Sequence, residues 1–486
     1  MEKIKNKALL KSGGWINGAW TGADSGKTIA VDNPATGDII AQAPHMSATE
    51  TQRAIEAAAA ALPAWRSQTG KARAAVLREW YSLLLENLDD LARIMTLEQG
   101  KPLAELRGEI AYGASFIEWF AEEAKRGGGE IIPTFKANSQ VRVTREAAGV
   151  AAMITPWNFP NAMLTRKAGP ALAAGCTAVI KPANATPLSA IAAVALAEKA
   201  GVPAGVINLV MGDSAAIGKA LCSHPAVRVL SFTGSTEVGK KLAAQCAMTV
   251  KKTALELGGN APFIVFDDAD LAAAAKHALA SKFRNAGQTC VCANRFYVQD
   301  GVHDEFVELF KKEIAALKVG NGLDAGITQG PLINAAAVEK VKQHVADAVQ
   351  KGGKMLIGGK PLGDIGANYF EPTLITEMKK DTLPLCEETF GPLAPIYRFK
   401  TEEEAVQMAN NTPYGLAAYF CTRDLGRAMR VSEALESGII GINEGIISSE
   451  VAPFGGIKES GIGREGGRHG MDEYTEIKYT LMGYAG

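Results

Sequence analysis

Three side chains in the chain of 486 residues have complementary chemistry. Cys290, in Gly287-Gln288-Thr289-Cys290, offers a thiol whose thiolate is a strong nucleophile. Gly287 lets the backbone turn sharply just before it, and Arg284 brings a cation close in sequence. Glu256 lies upstream in Leu255-Glu256-Leu257-Gly258-Gly259-Asn260, and Asn158 lies further back in Pro156-Trp157-Asn158-Phe159-Pro160. Each has an ordinary explanation alone: a small packed Cys, a solvated carboxylate at a strand end, a turn residue before Phe-Pro. Together they fit one reaction. Cys290 attacks an aldehyde carbon, and the oxyanion formed needs donors set in advance, for which the Asn158 amide and the Cys290 N–H are suited. After hydride leaves to a nicotinamide, the thioester needs water, and Glu256 can act as its general base.

A second group suits a nucleotide. Phe232-Thr233-Gly234-Ser235-Thr236-Glu237-Val238-Gly239 reads as strand, Gly turn and helix start, and a helix N-terminus favours phosphate. It is not the G-x-G-x-x-G fingerprint, and alone it fits a packing turn better than a phosphate site. Lys181, in Ile180-Lys181-Pro182-Ala183-Asn184, adds a cation on the same rim. The acidic residue that would take the ribose 2′-hydroxyl of NAD is absent, since Ala183 and Asn184 are neutral. This favours NADP, with NAD as the alternative.

Composition excludes other classes. Lys plus Arg number 51 and Asp plus Glu 52, a net charge of -1, so neither a nucleic-acid nor a membrane partner is expected. The 7 Cys are odd in number and scattered, which argues for a reducing compartment. Cys290 and Cys292 are too close for a zinc knuckle and the 6 His are dispersed, so no metal site is expected. Cys292 reads either as a packed small residue or as a redox partner that could form an inactivating disulfide with Cys290. The first dozen residues carry Lys and no apolar signal run, and no stretch approaches the roughly 20 apolar residues of a membrane span. A cytoplasmic protein is expected.

The elements that must position these groups are α/β. A chain of this length needs two or three domains. Ser47-Ala48-Thr49-Glu50 is a capping box before a helix reaching about Trp65. A second helix starts near Lys71 and ends over 95–102, and a third runs to about Lys125. From Gly149 strands at 150–154, 177–181, 206–210 and 227–233 alternate with helices at 161–174, 189–200, 215–222 and 236–248. This pattern means βαβ units and a parallel sheet, with ligands at the carboxyl ends of its strands. A second cycle from 263–266 includes a strand at 296–298, helices at 304–317, 338–350 and 402–410, and segments 354–358 and 369–375. The expected fold is two parallel-sheet, Rossmann-like domains plus a β-arm. Residues 1–126 and 147–258 would bind dinucleotide, 259–457 would carry catalysis, and 127–146 with 470–486 would form the arm. From pattern alone 127–146 is either a surface hairpin or an arm for another subunit, and 476–482 alternates as a strand that could meet it.

The chain resembles the aldehyde dehydrogenase family nearly end to end. The resemblance rests on Pro156-Trp157-Asn158-Phe159-Pro160, Phe232-Thr233-Gly234-Ser235, Leu255-Glu256-Leu257-Gly258-Gly259, Gly287-Gln288-Thr289-Cys290, Glu388-Thr389-Phe390-Gly391-Pro392 and Pro453-Phe454-Gly455-Gly456, all in order. It implies Cys290 as nucleophile, Glu256 as base and Asn158 in the oxyanion hole. It also implies a cofactor site of Thr155, Trp157, Asn158, Lys181, Ala183, Asn184, Gly234, Ser235, Leu257, Glu388 and Phe390, the last two near the nicotinamide ribose, and a homo-oligomer, dimer or tetramer. Leu164-Thr165-Arg166-Lys167, Ser281-Lys282-Phe283-Arg284-Asn285, Cys290-Val291-Cys292 and Gly445-Ile446-Ile447-Ser448-Ser449 resemble the succinate-semialdehyde dehydrogenases within it. That implies a substrate carboxylate held by Arg166, Arg284 and Ser449, and paired guanidinium groups suit such a ligand. Glutarate semialdehyde or another ω-carboxy aldehyde is the competing substrate. A thiol hydrolase would want a His partner that none of the motifs holds, and a non-catalytic scaffold would not need all three reactive side chains.

Overall fold

The protein, described here from a computed structural model, is seen over residues 3–484. Its first sheet has the parallel strands Val150–Ile154, Thr177–Lys181, Ile207–Leu209, Val227–Thr233 and Lys252–Glu256. Val150, Ala151, Ala152 and Met153 are at most 1% exposed, the continuous burial of a strand covered on both faces. Chain order reverses between Val150–Ile154, flanked by Thr177–Lys181 on one side, and Val227–Thr233 on the other, which opens a crevice at their carboxyl ends. Antiparallel strands Gly14–Ile16 and Ala19–Thr21 extend one edge, and Gly461–Ile462 closes the other against Lys252–Glu256.

Helices cover the sheet. Ala48–Arg66 begins at the expected capping box, with Ser47 and Glu50 bonded reciprocally. The helix expected from about 71 to 95 is two, Gly70–Glu86 and Leu88–Gln99. Asn87 divides them, turning its side-chain amide back onto the Leu83 carbonyl at 2.8 Å and so ending the first helix. Leu103–Glu123 then packs along Pro160–Ala174. The indoles of Trp65 and Trp80 are buried there and donate to the carbonyls of Leu172 and Ala193.

The second sheet runs Lys354–Ile357, Thr373–Thr376, Leu393–Phe399, Ala293–Gln299, Ala261–Val265, Ala417–Cys421 and Ile439–Ile442, parallel except for its first pair. Leu393–Phe399, Ala417–Cys421 and Ile439–Ile442 were not foreseen. A third sheet pairs Thr475–Gly483 with Ser139–Ala147 and that strand with Glu130–Ile132, all antiparallel.

Candidate active site

The crevice at the first sheet meets the second sheet in a cavity of about 430 Å³. Two loops from the crevice enter it. Val150–Ile154 runs into Thr155-Pro156-Trp157-Asn158 before the helix Pro160–Ala174. Val227–Thr233 runs into Gly234 and Ser235, whose hydroxyl caps the helix Thr236–Ala247 by accepting from the Val238 N–H at 3.4 Å. Loops of the second sheet contribute Cys290, Glu388 and Phe390. Of the residues expected in the site, Trp157, Asn158, Gly234, Ser235, Leu257, Cys290, Glu388 and Phe390 all line this cavity. Thr155, Lys181, Ala183, Asn184, Glu256, Arg166, Arg284 and Ser449 lie outside its wall.

The loop before Cys290 is strained. Asn285, Ala286 and Gly287 have φ of 52°, 53° and 75°, three consecutive residues in the left-handed region. A Cβ on Gly287 would come within 2.2 Å of the Gly391 carbonyl oxygen, so only glycine fits. Cys290 is partly exposed while Cys292 is buried. Burial pushes the Cys290 thiol up to about 12, with Arg166 opposing. The Cys292 thiol donates to the Gly287 carbonyl at 3.2 Å and lies 3.8 Å from the Lys282 ammonium, packed into the loop. Across the cavity Asn158 Nδ2 donates to the Gln288 carbonyl at 3.0 Å, which leaves its second N–H available.

Glu256 is 3% exposed and its Oε2 makes no protein hydrogen bond. Burial raises its carboxyl well above the ordinary value, and the charge of Glu465 raises it further, against Arg166, Lys167 and Arg464. Glu465 is the main group that the sequence reading missed. It accepts from Arg166 Nε at 2.5 Å and from Lys167 Nζ, and Lys167 also donates to the Ser231 hydroxyl at 3.0 Å. Lys167 stood in the motif quoted for Arg166. Glu465 lies in a glycine-rich stretch in which no helix or strand period marks it.

The residues expected to hold a carboxylate are brought to one side, but they are not bare. Arg166 is 1% exposed, stacks on Phe454 at 4.2 Å and contacts Met163 Sδ at 3.1 Å. Arg284 lies over the Phe159 ring at 5.3 Å. The Ser449 hydroxyl donates to Glu450 at 3.3 Å. Tyr112, also missed, places a buried hydroxyl beside Arg166 and Ser448, with the charge of Arg284 nearby. Its ring meets Phe116 edge-on at 4.9 Å on the helix Leu103–Glu123.

The cofactor rim has its own geometry. Trp157 and Phe390 meet edge to face at 5.6 Å, and Phe390 holds a φ of 54°. The Glu388 carboxyl, pushed up to about 7 by burial, accepts from the Gly259 N–H at 3.3 Å. Lys181 is 5% exposed and donates only to the Pro182 carbonyl at 3.0 Å. Burial lowers its ammonium to about 8, and among the described residues no carboxylate pairs with it. Asn184 uses both ends of its amide on Gly212, so it braces the loop. Among the described residues no group of three or more His, Cys, Asp or Glu is placed to hold a metal, and no helix is long and apolar enough to cross a membrane.

A cysteine that faces a doubly wound crevice, with a buried carboxylate close by, is an arrangement that fits a class of oxidoreductase. Residues 20–480 match the model of the aldehyde dehydrogenase family, and the chain belongs to that family. It is 58% identical to the NADP(+) succinate-semialdehyde dehydrogenase GabD of Escherichia coli, covering 99% of this chain and 100% of that one. It is 59% identical to the glutarate-semialdehyde dehydrogenase of Pseudomonas aeruginosa, covering 99% of each. The solved succinate-semialdehyde dehydrogenase of Burkholderia pseudomallei superposes with a TM-score of 0.98 at 57% identity, covering 99% of this chain and 100% of that one.

Proposed function

We propose that the protein oxidises succinate semialdehyde to succinate with NADP, through a thiohemiacetal and then a thioester on Cys290. The observation that carries this reading is the convergence of Cys290 and Asn158 on one cavity, with the buried hydroxyl of Tyr112 and two guanidinium groups on the side where a distal carboxylate would sit. Arg284 and Tyr112 take the carboxylate, with Arg166 and Ser449 behind them. The Cys290 thiolate bonds to the aldehyde carbon, and the Asn158 side chain and the Cys290 N–H donate to the oxygen that becomes negative. NADP, when bound, supplies the nicotinamide that accepts the hydride. Glu256 then takes a proton from the water that attacks the thioester, and Cys290 leaves as thiolate.

The residues present suit that cofactor. Lys181 is a nearly buried cation without an anionic partner, as a 2′-phosphate site requires, and Ala183 and Asn184 bring no repelling charge. Thr155 holds a buried hydroxyl without a partner, and Ser235 begins a helix that faces the crevice. In this reading Trp157, Gly234, Leu257, Glu388 and Phe390 line the nicotinamide half. Residues 1–126 and 147–258 form the cofactor domain and 259–457 the catalytic domain. Ile131 and Phe135, exposed by 71% and 79%, and Ile477 and Tyr479 make the 127–146 and 470–486 arm a contact between subunits of a homo-oligomer. The free cysteines suit the cytoplasm.

Glutarate semialdehyde is the competing substrate, supported by the relative of that name. One methylene is worth only about 1–3 kcal/mol in a pocket. The test is reduced-nicotinamide absorbance with succinate semialdehyde, glutarate semialdehyde and a neutral aldehyde, each with NADP and NAD, in wild type and Cys290→Ala. Turnover of the semialdehydes with NADP that vanishes in Cys290→Ala supports the reading. Turnover of the neutral aldehyde alone removes the carboxylate from it.

A further inference from the structure

Side chains that this mechanism does not use converge on the main chain of Asn158. Lys101 is 2% exposed, and its ammonium donates to Glu109 Oε2 at 2.5 Å and to the Asn158 carbonyl at 2.7 Å. Asn285 donates through Nδ2 to the same carbonyl at 3.2 Å and to the Gln288 carbonyl at 3.0 Å. Its own amide oxygen accepts from Gln99 Nε2 at 2.9 Å, and Gln99 Oε1 accepts from the Lys101 N–H at 3.0 Å. Glu109 Oε1 accepts from the N–H groups of Asn161 and Ala162 at 3.2 and 3.4 Å, in the first turn of the helix after Asn158. The Phe159 ring lies 3.7 Å from the Lys101 ammonium.

A buried Lys–Glu pair is a poor source of stability, since apolar side chains of similar volume would pack as well or better. What this pair does specifically is hold one carbonyl oxygen, that of the residue whose side chain faces Cys290. The Gln288 carbonyl accepts from Asn158 Nδ2 and the Asn158 carbonyl accepts from Asn285 Nδ2, so the loop of Asn158 and the loop of Cys290 are tied at two points. Asn285 adopts the left-handed conformation that lets its side chain reach both carbonyls, and asparagine tolerates that region. Oxyanion stabilisation depends on donors held in place before the charge appears.

We propose that Lys101 and Asn285 are positioning residues for aldehyde oxidation: they clamp the Asn158 carbonyl and so fix the side-chain amide that meets the oxygen of the Cys290 adduct. The inference rests on the oxyanion role given to Asn158 above, and the experiment separates the two. Lys101→Met, Lys101→Arg, Asn285→Ala and the double variant Lys101→Met/Glu109→Gln are compared with Asn158→Ala. The double variant removes the Glu109 carboxylate that Lys101→Met alone would leave unpaired, and it serves where Lys101→Met does not fold. Two rates are read: turnover with succinate semialdehyde and NADP, and, on the free enzyme, alkylation of Cys290 by iodoacetamide, in which the thiolate displaces iodide at a CH2 carbon and no oxyanion forms.

The expected result is a kcat lower by about 10–100-fold in Lys101→Met, the double variant and Asn285→Ala, below the full loss of an oxyanion donor. KM and the alkylation rate stay within about twofold, and Lys101→Arg recovers part of kcat. Folded variants that keep wild-type kcat overturn the proposal, and so does an alkylation rate that falls in step with kcat, which marks general damage to the site. Asn158→Ala with wild-type kcat removes the oxyanion reading itself, whereas a slow Asn158→Ala beside fast Lys101 and Asn285 variants removes the clamp alone.

Discussion

The Arg166 guanidinium and the Glu465 carboxylate form a buried ion pair, Nε to Oε2 at 2.5 Å, with both side chains under 5% exposed. An arginine that would otherwise face substrate therefore carries a resident counter-ion, and the same carboxylate raises Glu256. Burial alone would push Glu465 up, yet Lys167 and Arg166 hold it below the ordinary carboxylate value. Its ionised form thus stabilises the fold above the unfolded-state pKa, and that contribution is lost as the pH falls through the lower folded value. Glu465→Gln should cost about 3–5 kcal/mol, because two buried cations lose their partner. Urea unfolding at neutral pH reads this, and the loss should shrink as the pH falls through the carboxylate range.

Glu256 accepts a proton only when ionised, and its raised carboxyl places that form at higher pH than an ordinary glutamate. The Cys290 thiol is raised as well. Steady-state turnover should therefore climb with pH through neutrality, with an acid limb well above 4.5. In Glu256→Gln the first equivalent of reduced nicotinamide should still form, while turnover falls by about 10²–10⁴-fold as the thioester accumulates. Stopped-flow absorbance separates the two phases. A burst lost together with turnover would assign Glu256 to an earlier step.

Tyr112→Phe removes only the hydroxyl beside Arg166, Arg284 and Ser448. A hydrogen bond to a charged group contributes about 1.5–3 kcal/mol, so kcat/KM for succinate semialdehyde should fall about 10–150-fold. Arg284→Gln should lower it at least as much. Neither variant should change kcat/KM for an uncharged aldehyde of similar length, and parallel kinetics on the two substrates decide the matter.

Lys181 is protonated below about 8, and a 2′-phosphate becomes a dianion above about 6. NADP should bind most tightly between these limits and weaken as the pH passes 8. NAD should show no such limb, and Lys181→Met should abolish it for NADP. Titration of protein fluorescence against each nucleotide across pH measures this without turnover.

Much of this site was legible because its motifs are local. Asn158 and Gly234 follow strands of the first sheet and Glu256 ends one, and alternation of strand and helix alone puts them on one rim. Groups that act from a distance were not legible. Arg166 and Glu465 are 299 residues apart, and nothing local in either segment points to the other. Tyr112 sits in a helix whose spacing shows an apolar face and gives no sign of a hydroxyl awaiting a partner. The strand Leu393–Phe399 was missed because Pro395 argues against a central strand, yet there it lies between Thr373–Thr376 and Ala293–Gln299. The break at Asn87 was hidden by helical spacing that runs across it.

The strand Gly461–Ile462, which completes the first sheet, has a consequence for the order in which the protein can form. Glu465, the counter-ion of Arg166 and Lys167, follows it, and Thr475–Gly483 then pairs along the whole of Ser139–Ala147. The first sheet is thus finished by segments made after every strand of the second sheet. During synthesis its edge beside Lys252–Glu256 stays open and its buried arginine and lysine stay unmatched until those segments leave the ribosome. Closure of the first sheet therefore waits on segments made after the second, and nascent chains halted before residue 461 should expose that sheet edge to chaperones and proteases.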